Sequence, residues 1–382
     1  MFEVVFWFSL VLIFYAYFGY PCMLFLVSLF RKHPVNRGDI TPGVSFIIAA
    51  FNEEKRIRQK IENTLAQDYP KDRLEVIVAS DCSTDSTDEI VNSYSGQGVK
   101  LVRARERKGK ESAQKYAVDS AAGQVLVFSD VATILESNGI SNIVKNFNDP
   151  TVGCVSSEDR TIDEAGRISG EGAYVRYEMM LRNLETKINT VVGLSGSFFA
   201  ARREVCSNWE PELQSDFNTL LNSVRMGLRG VSDPESIGYY RNIADDKKEF
   251  ERKVRTVLRG ISVFAKSLRL MNPLRYGLFS WQIFSHKLCR WLVPFAMITA
   301  FISNLFLCVH SAAGIASFYS LTFALQVAFY ALSVSGMRVN TTKSFFKIPA
   351  YFVVVNFSIL TAWYLFFRGE NMTMWTPSER RV

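Results

Sequence analysis

The sequence predicts an α/β domain with a mainly parallel sheet and flanking helices, set between N-terminal and C-terminal segments of membrane-spanning length. Charged residues are sparse before Arg31 and after Arg290 and dense between them, so the chain has two composition classes. In the charged part, short β-rich runs alternate with helical stretches, which is typical of βαβ units. Together these observations predict a soluble domain flanked by transmembrane helices.

The elements of the predicted domain begin at Val44. Nearly continuous apolar runs such as FIIAA indicate strands covered on both faces, and right-handed crossovers between such strands give a parallel sheet. The predicted strands and helices alternate as VSFIIAA, Glu53–Gln67, LEVIVAS, Asp85–Tyr94, VKLVRA, Lys110–Ala121, QVLVFSD and Ser137–Phe147. After Pro150 the order changes to TVGCVSS, a helix around Glu171–Lys187, the run LSGSFFAARRE and a helix over Asp216–Gly227.

The segment from Val4 to Phe30 is almost wholly apolar and long enough to cross about 30 Å of hydrocarbon. Its basic residues, Arg31 and Lys32, follow the span, which favours an uncleaved anchor with the next domain in the cytoplasm. The last apolar segment near the C-terminus either crosses or lies re-entrant, because crossing would place the terminal arginines outside. We therefore expect a multi-pass protein of the inner or plasma membrane. The further candidate spans are about Trp291–Val309, Ala312–Val334 and Ile348–Phe367.

These segments predict the domain boundaries. Apolar residues at helical spacing between Leu278 and Leu292, with Lys287 and Arg290 on another side, fit a helix at the membrane interface. They fit equally well an ordinary amphipathic helix packed on the domain. The predicted parts are a transmembrane anchor at 1–38, a cytoplasmic domain at 39–245, interfacial amphipathic helices at 246–290, and a C-terminal region of two to three spans with its tail at 291–382.

The net charge of +7 does not indicate nucleic-acid binding. Basic residues are interspersed with acids and cluster beside the apolar spans, and no basic stripe with interleaved aromatic residues is visible. The six cysteines form no C-x-x-C pair and have no histidine at ligand spacing. We therefore expect free thiols in a reducing compartment and no zinc site.

Three aspartates are the candidate chemical groups. Asp81 follows LEVIVAS and Asp130 follows QVLVFS, so both lie at the end of a predicted strand, whereas Asp216 opens a helix. Because ligands bind beyond the carboxyl ends of the strands in open α/β sheets, acids at these points can hold a cation, a nucleotide or a proton. No G-x-G-x-x-G follows the first strand, which argues against dinucleotide binding.

Six segments in order resemble the signature of family 2 glycosyltransferases, which are inverting, nucleotide-sugar-dependent enzymes of GT-A fold. The flanks resemble the membrane-bound bacterial branch that builds exopolysaccharides, through WQIFSHKLCRW and a tail containing Arg368, Gly369, Trp375 and Pro377. The resemblance covers nearly the whole chain and implies a GT-A-like sheet. The six segments are FIIAAFNEE, ASDCSTDSTDEI, RKGKESAQKYAV, VFSDVATIL, GLSGSFFAARRE and SDFNTLL.

The resemblance implies a donor site at the strand ends. Ala50, Asn52 and Glu53 would border the nucleoside, although Asn52 and Glu53 also suit simple helix capping. Asp81 would accept a hydrogen bond from a uracil N–H, with a turn aspartate as the alternative. Lys110 would lie near the donor diphosphate, with a solvated basic turn as the alternative.

Asp130 matches the first acid of the family's D-x-D motif, which holds a divalent ion, so the resemblance implies Mg²⁺ or Mn²⁺ as cofactor. The second acid is missing, because Ala132 occupies its position. One carboxylate together with substrate phosphates can still hold such an ion, and Thr133 could assist. We expect metal dependence with weakened binding through Asp130.

Asp216 is the expected general base, which removes the acceptor proton during one in-line displacement. An N-cap of the following helix is the competing interpretation, and one residue can do both. The resemblance places Gly193, Ser195 and Gly196 on the acceptor side, where glycine lets a sugar approach the backbone. A structural tight turn is the alternative there.

Processive synthases of the family carry Gln-x-x-Arg-Trp in the region where this chain has Arg252, Lys253 and Arg255. Arg252 and Arg255 either neutralise the diphosphate or belong to the solvent face of an amphipathic helix. The missing motif favours the addition of one sugar over processive polymerisation.

The expected reaction is transfer from a nucleotide-sugar, in the first place a UDP-sugar, to a polyprenyl-diphosphate-linked saccharide in exopolysaccharide, capsule or O-antigen assembly. Membrane lipids and proteins of the assembly pathway are the expected partners, and nucleic acid is not. Two alternatives stay open. One is a processive synthase of the hyaluronan, chitin or cellulose type, and the other is a non-catalytic membrane scaffold that binds nucleotide-sugars.

Overall fold

The computed structural model describes residues 1–162, 173–241, 246–310, 318–338 and 344–374. The chain divides into two compact units. The helical unit comprises Met1–Met23, Asp246–Ile261 and Ser280–Asn371. The sheet unit comprises Leu24–Asp245, Ser262–Phe279 and Met372–Val382.

A mixed sheet forms the centre of the sheet unit. Its strands are β1 (Val44–Ala50), β2 (Leu74–Ser80), β3 (Val99–Arg103), β4 (Val125–Asp130), β5 (Ile134–Leu135), β6 (Val152–Ile162), β7 (Phe198–Arg202) and β8 (Arg229–Arg241). Within the described residues the strand order is β3-β2-β1-β4-β7-β6-β8-β5. The pairs β3–β2, β2–β1, β1–β4 and β6–β8 are parallel, whereas β7 runs antiparallel to β4 and β6, and β5 to β8. The predicted mainly parallel sheet is confirmed.

Helices flank this sheet. They are α3 (Ile57–Leu65), α4 (Thr87–Asn92), α5 (Lys110–Ser120), α6 (Gly139–Lys145), α7 (Ala173–Ile188), α8 (Arg203–Cys206) and α9 (Ser215–Arg225). The short α11 (Pro273–Tyr276) belongs to the same unit. Every residue of β1 is buried, in agreement with its continuous apolar run. Apolar side chains of β1, β2, β4 and β7 join those of α3 and α6 in one core, which holds the strand ends rigidly.

Two strands of the sheet were not predicted from the sequence. β8 has the sequence RGVSDPESIGYYR, whose Asp-Pro step and charges do not resemble a strand, yet it pairs with β6 along most of its length. The two-residue β5 is too short to give a periodic signal. The first helix begins at Ile57 and not at Glu53, because Arg56 and Ile57 both donate their backbone N–H groups to the carbonyl of Glu53 in a preceding turn.

The helical unit contains α1 (Phe2–Phe14), α2 (Tyr20–Phe30), α10 (Asp246–Ala265), α12 (Leu278–Ile283), α13 (Arg290–Val309), α14 (Phe318–Arg338) and α15 (Ser344–Phe367). Residues 24–30 of α2, 262–265 of α10 and 278–279 of α12 are assigned to the sheet unit. π-Helical turns at Tyr15–Gly19 and Phe284–Cys289 join α1 to α2 and α12 to α13. Through the second of these turns, α12 is continuous with α13.

Within the described residues, four helices are long and apolar enough to cross a membrane, namely Phe2–Phe30, Leu278–Val309, Phe318–Arg338 and Phe345–Phe367. The predicted start of the third span at Ala312 lies outside the described residues, as do Trp375 and Pro377 of the tail motif. All six cysteines are free thiols, as expected.

Candidate active site

The segment that follows β2 holds the loop that precedes α5. Asp81 is almost completely buried, and its two carboxylate oxygens accept hydrogen bonds from the backbone N–H groups of Lys108 and Gly109, each at 3.0 Å. Burial raises the pKa of Asp81, although these two N–H donors and nearby Arg107 oppose the shift. Asp81 therefore fixes the loop from which α5 begins.

The loop after β1 is tied to the loop after β2. The carbonyl of Ala50 accepts the N–H of Asp81 at 2.9 Å. Asn52, in the left-handed region at φ 51°, accepts the N–H of Thr84 at 2.8 Å with its side chain. The buried Glu53 carboxylate receives a two-pronged contact from Arg56, at 2.8 and 2.9 Å. The side chains of Asn52 and Glu53 thus help to fix the conformation of the loop after β1.

Lys110 connects the end of β4 with the loop before β7. Its ammonium donates to Oδ1 of Asp130 at 2.5 Å and to the carbonyl of Gly196 at 3.0 Å. Burial acts to lower the pKa of Lys110, but the charges of Asp130, Glu111 and Asp216 outweigh it and raise the pKa. Lys110 is therefore a fixed cation between three candidate site groups and not part of a solvated turn.

Asp216 lies at the start of α9, directly against Gly196. A Cβ atom placed on Gly196 would lie 3.0 Å from Oδ2 of Asp216, so any larger residue would displace this carboxylate by a few tenths of an ångström. Oδ2 also accepts from Nε2 of Gln214 at 3.2 Å, and Oδ1 accepts the N–H of Phe217 at 2.9 Å. Asp216 as a whole is buried, with a relative exposure of 7%. The structure thus brings Asp130, Lys110, Gly196 and Asp216 together.

The loop containing Gly193, Ser195 and Gly196 is fixed from its other side by a carboxylate that sequence reasoning missed. Oδ1 of Asp159, on β6, accepts from the hydroxyls of Ser195 and Ser197 at 2.7 and 2.6 Å. No local pattern marks Asp159, because its partners lie more than 30 residues later in the chain.

Lys60 is a second residue that the sequence analysis did not identify, although its position in the sequence gives a signal. Its ammonium is fully buried beneath the β4 end, where it donates to Ser129 Oγ at 2.8 Å and to the Thr133 carbonyl at 2.6 Å. Burial lowers the pKa of Lys60 to about 7, and the charge of Asp130 opposes this. Lys60 shares the apolar face of α3 with Ile57 and Ile61, and a lysine at that helical spacing marks a buried cation.

The residues present fit a divalent ion held by a single carboxylate. In the described part of the chain no group of three or more His, Cys, Asp or Glu side chains could hold a metal. Asp130 is partly exposed, whereas Thr133 is fully buried and its hydroxyl has no hydrogen-bond partner among the described residues. Such an ion would take its remaining ligands from donor phosphates and water.

Arg252 and Arg255 lie on α10, in the part of that helix that belongs to the helical unit. Arg252 forms a two-pronged contact with Glu249 of the same helix, at 2.8 and 2.9 Å.

The fold and the family comparison define a glycosyltransferase. Residues 45–209 match the model of the family described as Glycosyl transferase family 2. This part of the chain is a glycosyltransferase family 2 domain, and the protein is a glycosyltransferase. Its mixed sheet with flanking helices is the GT-A fold.

Relatives of known sequence agree with this assignment. "Probable glycosyltransferase YdaM" of Bacillus subtilis (strain 168) is 26% identical over 331 residues, which is 81% of this chain and 79% of the relative. The poly-beta-1,6-N-acetyl-D-glucosamine synthase of Staphylococcus aureus (strain COL) is 25% identical over 211 residues, which is 53% of this chain and 50% of the synthase. The second match therefore spans only half of the relative's length.

A solved structure shares the architecture along nearly the whole chain. It is the mannosyltransferase PcManGT from Pyrobaculum calidifontis in complex with GDP-Man and Mn²⁺. The TM-score is 0.76 at 22% sequence identity, and the match covers 97% of this chain and 100% of that one. At this identity the likeness establishes the fold.

Proposed function

We propose that this protein is an inverting glycosyltransferase that moves one sugar from a nucleotide-sugar to an acceptor held in the membrane. The proposed donor is a UDP-sugar, and the proposed acceptor is a polyprenyl-diphosphate-linked saccharide of exopolysaccharide, capsule or O-antigen assembly. The observation that carries the proposal is the contact of the Lys110 ammonium with both Asp130 and the Gly196 carbonyl, with Asp216 against Gly196. Donor-side and acceptor-side groups thereby meet at one point.

The proposed donor site lies between the β1, β2 and β4 ends. Asp81 holds the loop at Lys108 and Gly109, and Lys110 then presents a fixed positive charge for the donor diphosphate. A divalent ion, Mg²⁺ or Mn²⁺, would be held by Asp130 and would supply further neutralisation of the departing diphosphate. The Mn²⁺ in the PcManGT complex supports this cofactor.

Asp216 is the proposed general base. In one displacement, the acceptor hydroxyl oxygen bonds to the anomeric carbon as the bond from that carbon to the diphosphate oxygen breaks. The hydroxyl proton passes to the Asp216 carboxylate, and the electron pair of the broken bond leaves with the nucleoside diphosphate. A single displacement from the face opposite the leaving group inverts the anomeric configuration, so no covalent enzyme intermediate is needed.

The membrane helices support a lipid-held acceptor. A saccharide attached to a lipid stays at the bilayer surface, so an enzyme anchored by apolar helices meets it without crossing bulk water. The basic residues after the first span favour a cytoplasmic position of the sheet unit. The proposed boundaries are the anchor at 1–38, the catalytic domain at 39–245, the amphipathic helices at 246–290 and the C-terminal spans at 291–382.

A processive synthase is the second candidate, and the likeness to the poly-beta-1,6-N-acetyl-D-glucosamine synthase favours it. The two candidates predict different products from the same purified enzyme. A processive synthase makes a long polymer from nucleotide-sugar alone, whereas the proposed enzyme adds one sugar per acceptor.

The test uses the full chain in lipid nanodiscs with UDP-glucose, UDP-N-acetylglucosamine, UDP-galactose and GDP-mannose. GDP-mannose is included because PcManGT was solved with it. A synthetic polyprenyl-diphosphate-linked sugar serves as acceptor, and the released nucleoside diphosphate and the product's anomeric configuration are measured. We expect Asp216→Asn to lower turnover by roughly 10²- to 10⁴-fold, as for loss of a general base, with donor affinity within about twofold of the wild type.

An exposed carboxylate provides the control. Asp119, which pairs with Lys115 one helical turn away, is far from these contacts, so Asp119→Asn should keep wild-type turnover. Unchanged turnover in Asp216→Asn would reject the base, and a retained anomeric configuration would reject inversion.

A further inference from the structure

The loop Leu194–Ser197 is held by contacts on two sides, and the first side is the one that meets Lys110 and Asp216. On that side, Gly196 meets Lys110 and Asp216, and the carbonyl of Ser197 accepts the N–H of Asp130 at 3.0 Å. On the other side the contacts come from Ser156 and Asp159 of β6.

Asp159 forms the centre of the second set. Its Oδ1 atom accepts two hydroxyl hydrogen bonds, from Ser195 at 2.7 Å and from Ser197 at 2.6 Å. The two hydroxyl oxygens lie only 3.0 Å apart, so Asp159 and the two serines that precede and follow Gly196 form a closed triangle of contacts. Ser156 completes the set, because its hydroxyl accepts the N–H of Ser195 at 2.8 Å.

These bonds are strong enough to fix the loop. Both serine hydroxyls donate to one acceptor oxygen at short distances, and Ser195 is almost fully buried, so water competes weakly for its hydroxyl. A shift of the residues on either side of Gly196 would move its carbonyl away from Lys110 and its Cα away from Asp216. The position of the proposed base relative to the acceptor hydroxyl depends on this geometry.

We infer that Asp159 is a positioning residue, which clamps Ser195 and Ser197 and thereby holds the acceptor-side loop in register with Asp216 and Lys110. It acts through the loop and does not touch the reacting atoms. This inference rests on the proposed function, because it assigns the loop to the acceptor. The role requires an oxygen that accepts two hydroxyl bonds, and it does not require the negative charge as such.

That distinction gives the experiment. In Asp159→Asn the amide oxygen can still accept both hydroxyl bonds, whereas Asp159→Ala removes the acceptor altogether. The double variant Ser195→Ala, Ser197→Ala removes the donors and keeps the carboxylate. All three are compared with the wild type and with the control Asp119→Asn in nanodiscs, by kcat and KM for acceptor and donor and by UDP affinity.

We expect Asp159→Ala and the double serine variant to lower kcat for transfer by about 10- to 100-fold, since misplacements of up to 1 Å have such effects. UDP affinity and donor KM should change less than about twofold, because the contacts of Asp81 and Lys110 stay intact. Asp159→Asn should keep at least about a third of wild-type kcat. Thermal unfolding confirms that each variant is folded, and the single Ser197→Ala variant replaces any that is not.

Three results would overturn the inference. They are wild-type kcat in Asp159→Ala, equal losses in Asp159→Asn and Asp159→Ala, and a loss of kcat matched by an equal loss of UDP affinity. If the wild type transfers sugar and Asp159→Ala does so equally well, only the inference fails. If the wild type transfers to no acceptor, the proposed function fails, and the same comparison is made on donor hydrolysis, where water replaces the acceptor at Asp216.

Discussion

Replacing Gly196 with alanine would place a methyl group against the proposed catalytic base. The added carbon would lie 3.0 Å from Oδ2 and 3.6 Å from Cγ of Asp216, closer than ordinary carbon–oxygen contacts by a few tenths of an ångström. The φ angle of Gly196 is outside the left-handed region, so alanine can adopt this backbone without strain. The perturbation is therefore a displacement of one carboxylate and little else.

The expected magnitude follows from that displacement. A misplacement of about 1 Å lowers rates by about 10²-fold, so a shift of a few tenths of an ångström should lower kcat by roughly 5- to 20-fold. Donor KM should stay within about twofold, because Gly196 contributes only its carbonyl to Lys110. The overpacking should cost at most about 1 kcal/mol of stability, since the loop is partly exposed.

The assay is release of nucleoside diphosphate at saturating donor and acceptor, for Gly196→Ala alone and combined with Asp216→Asn. If the methyl group acts through Asp216, it should have almost no further effect once that base has been removed. Gly96→Ala is the matched control, because a Cβ there meets nothing within 4 Å and the φ angle is ordinary. Unchanged kcat in Gly196→Ala, or full additivity with Asp216→Asn, would refute the reasoning.

Three further predictions concern the surrounding structure. Gly109→Ala should raise donor KM at least tenfold, because the φ angle of Gly109 is 99° and a Cβ atom there would collide with the Thr373 carbonyl. Such backbone strain costs about 1–3 kcal/mol. The control is Gly98→Ala, which should keep wild-type donor KM because Gly98 has a φ angle of 83° but open space around it. Cys82→Gly should raise the free energy of unfolding by up to about 1 kcal/mol, since Cys82 has φ 61° and glycine adopts that conformation freely; chemical unfolding that shows a decrease would contradict this. Burial acts to raise the pKa of Asp149, but the hydrogen bonds and the arginine around Asp149 outweigh it and lower the pKa to about 2. This lies below the pKa of about 3.9 in the unfolded chain. Its stabilisation is therefore fully present above pH 4 and lost as the pH falls towards 2, so melting temperatures should fall less steeply with acid in Asp149→Asn than in the wild type, and identical pH profiles would exclude this contribution.

Local sequence was sufficient for the parallel half of the sheet. β1 and β2 are found where their apolar runs predicted them, and α5 begins at Lys110 as expected. These elements carry their own signal, because a buried strand must be apolar throughout and a helix must begin at residues that suit its first turn. By contrast, β8 has no such pattern, and its strand conformation comes from pairing with β6.

The candidate site divides in the same way. Asp81, Asp130 and Asp216 could be chosen from the sequence, because each lies beside an element with a clear pattern. The contacts of each carboxylate could not be predicted from the sequence. Asp81 accepts hydrogen bonds from backbone N–H groups near residue 109, and Asp130 contacts Lys110. Asp159 left no trace at all, because only the pairing of β6 with β7 brings it beside Ser197.

The amino-acid sequence by itself determined the class of domain, the membrane-length helices and the acids that end the strands, because periodicity and composition are properties of neighbouring residues. Only the tertiary structure decided that Lys110 links Asp130 to Gly196, that Asp216 lies against that glycine, and that a buried Lys60 supports the strand end from beneath. These contacts join residues 20 to 86 positions apart, which is beyond the reach of helix or strand periodicity, so they are set by how the core closes and no local pattern encodes them.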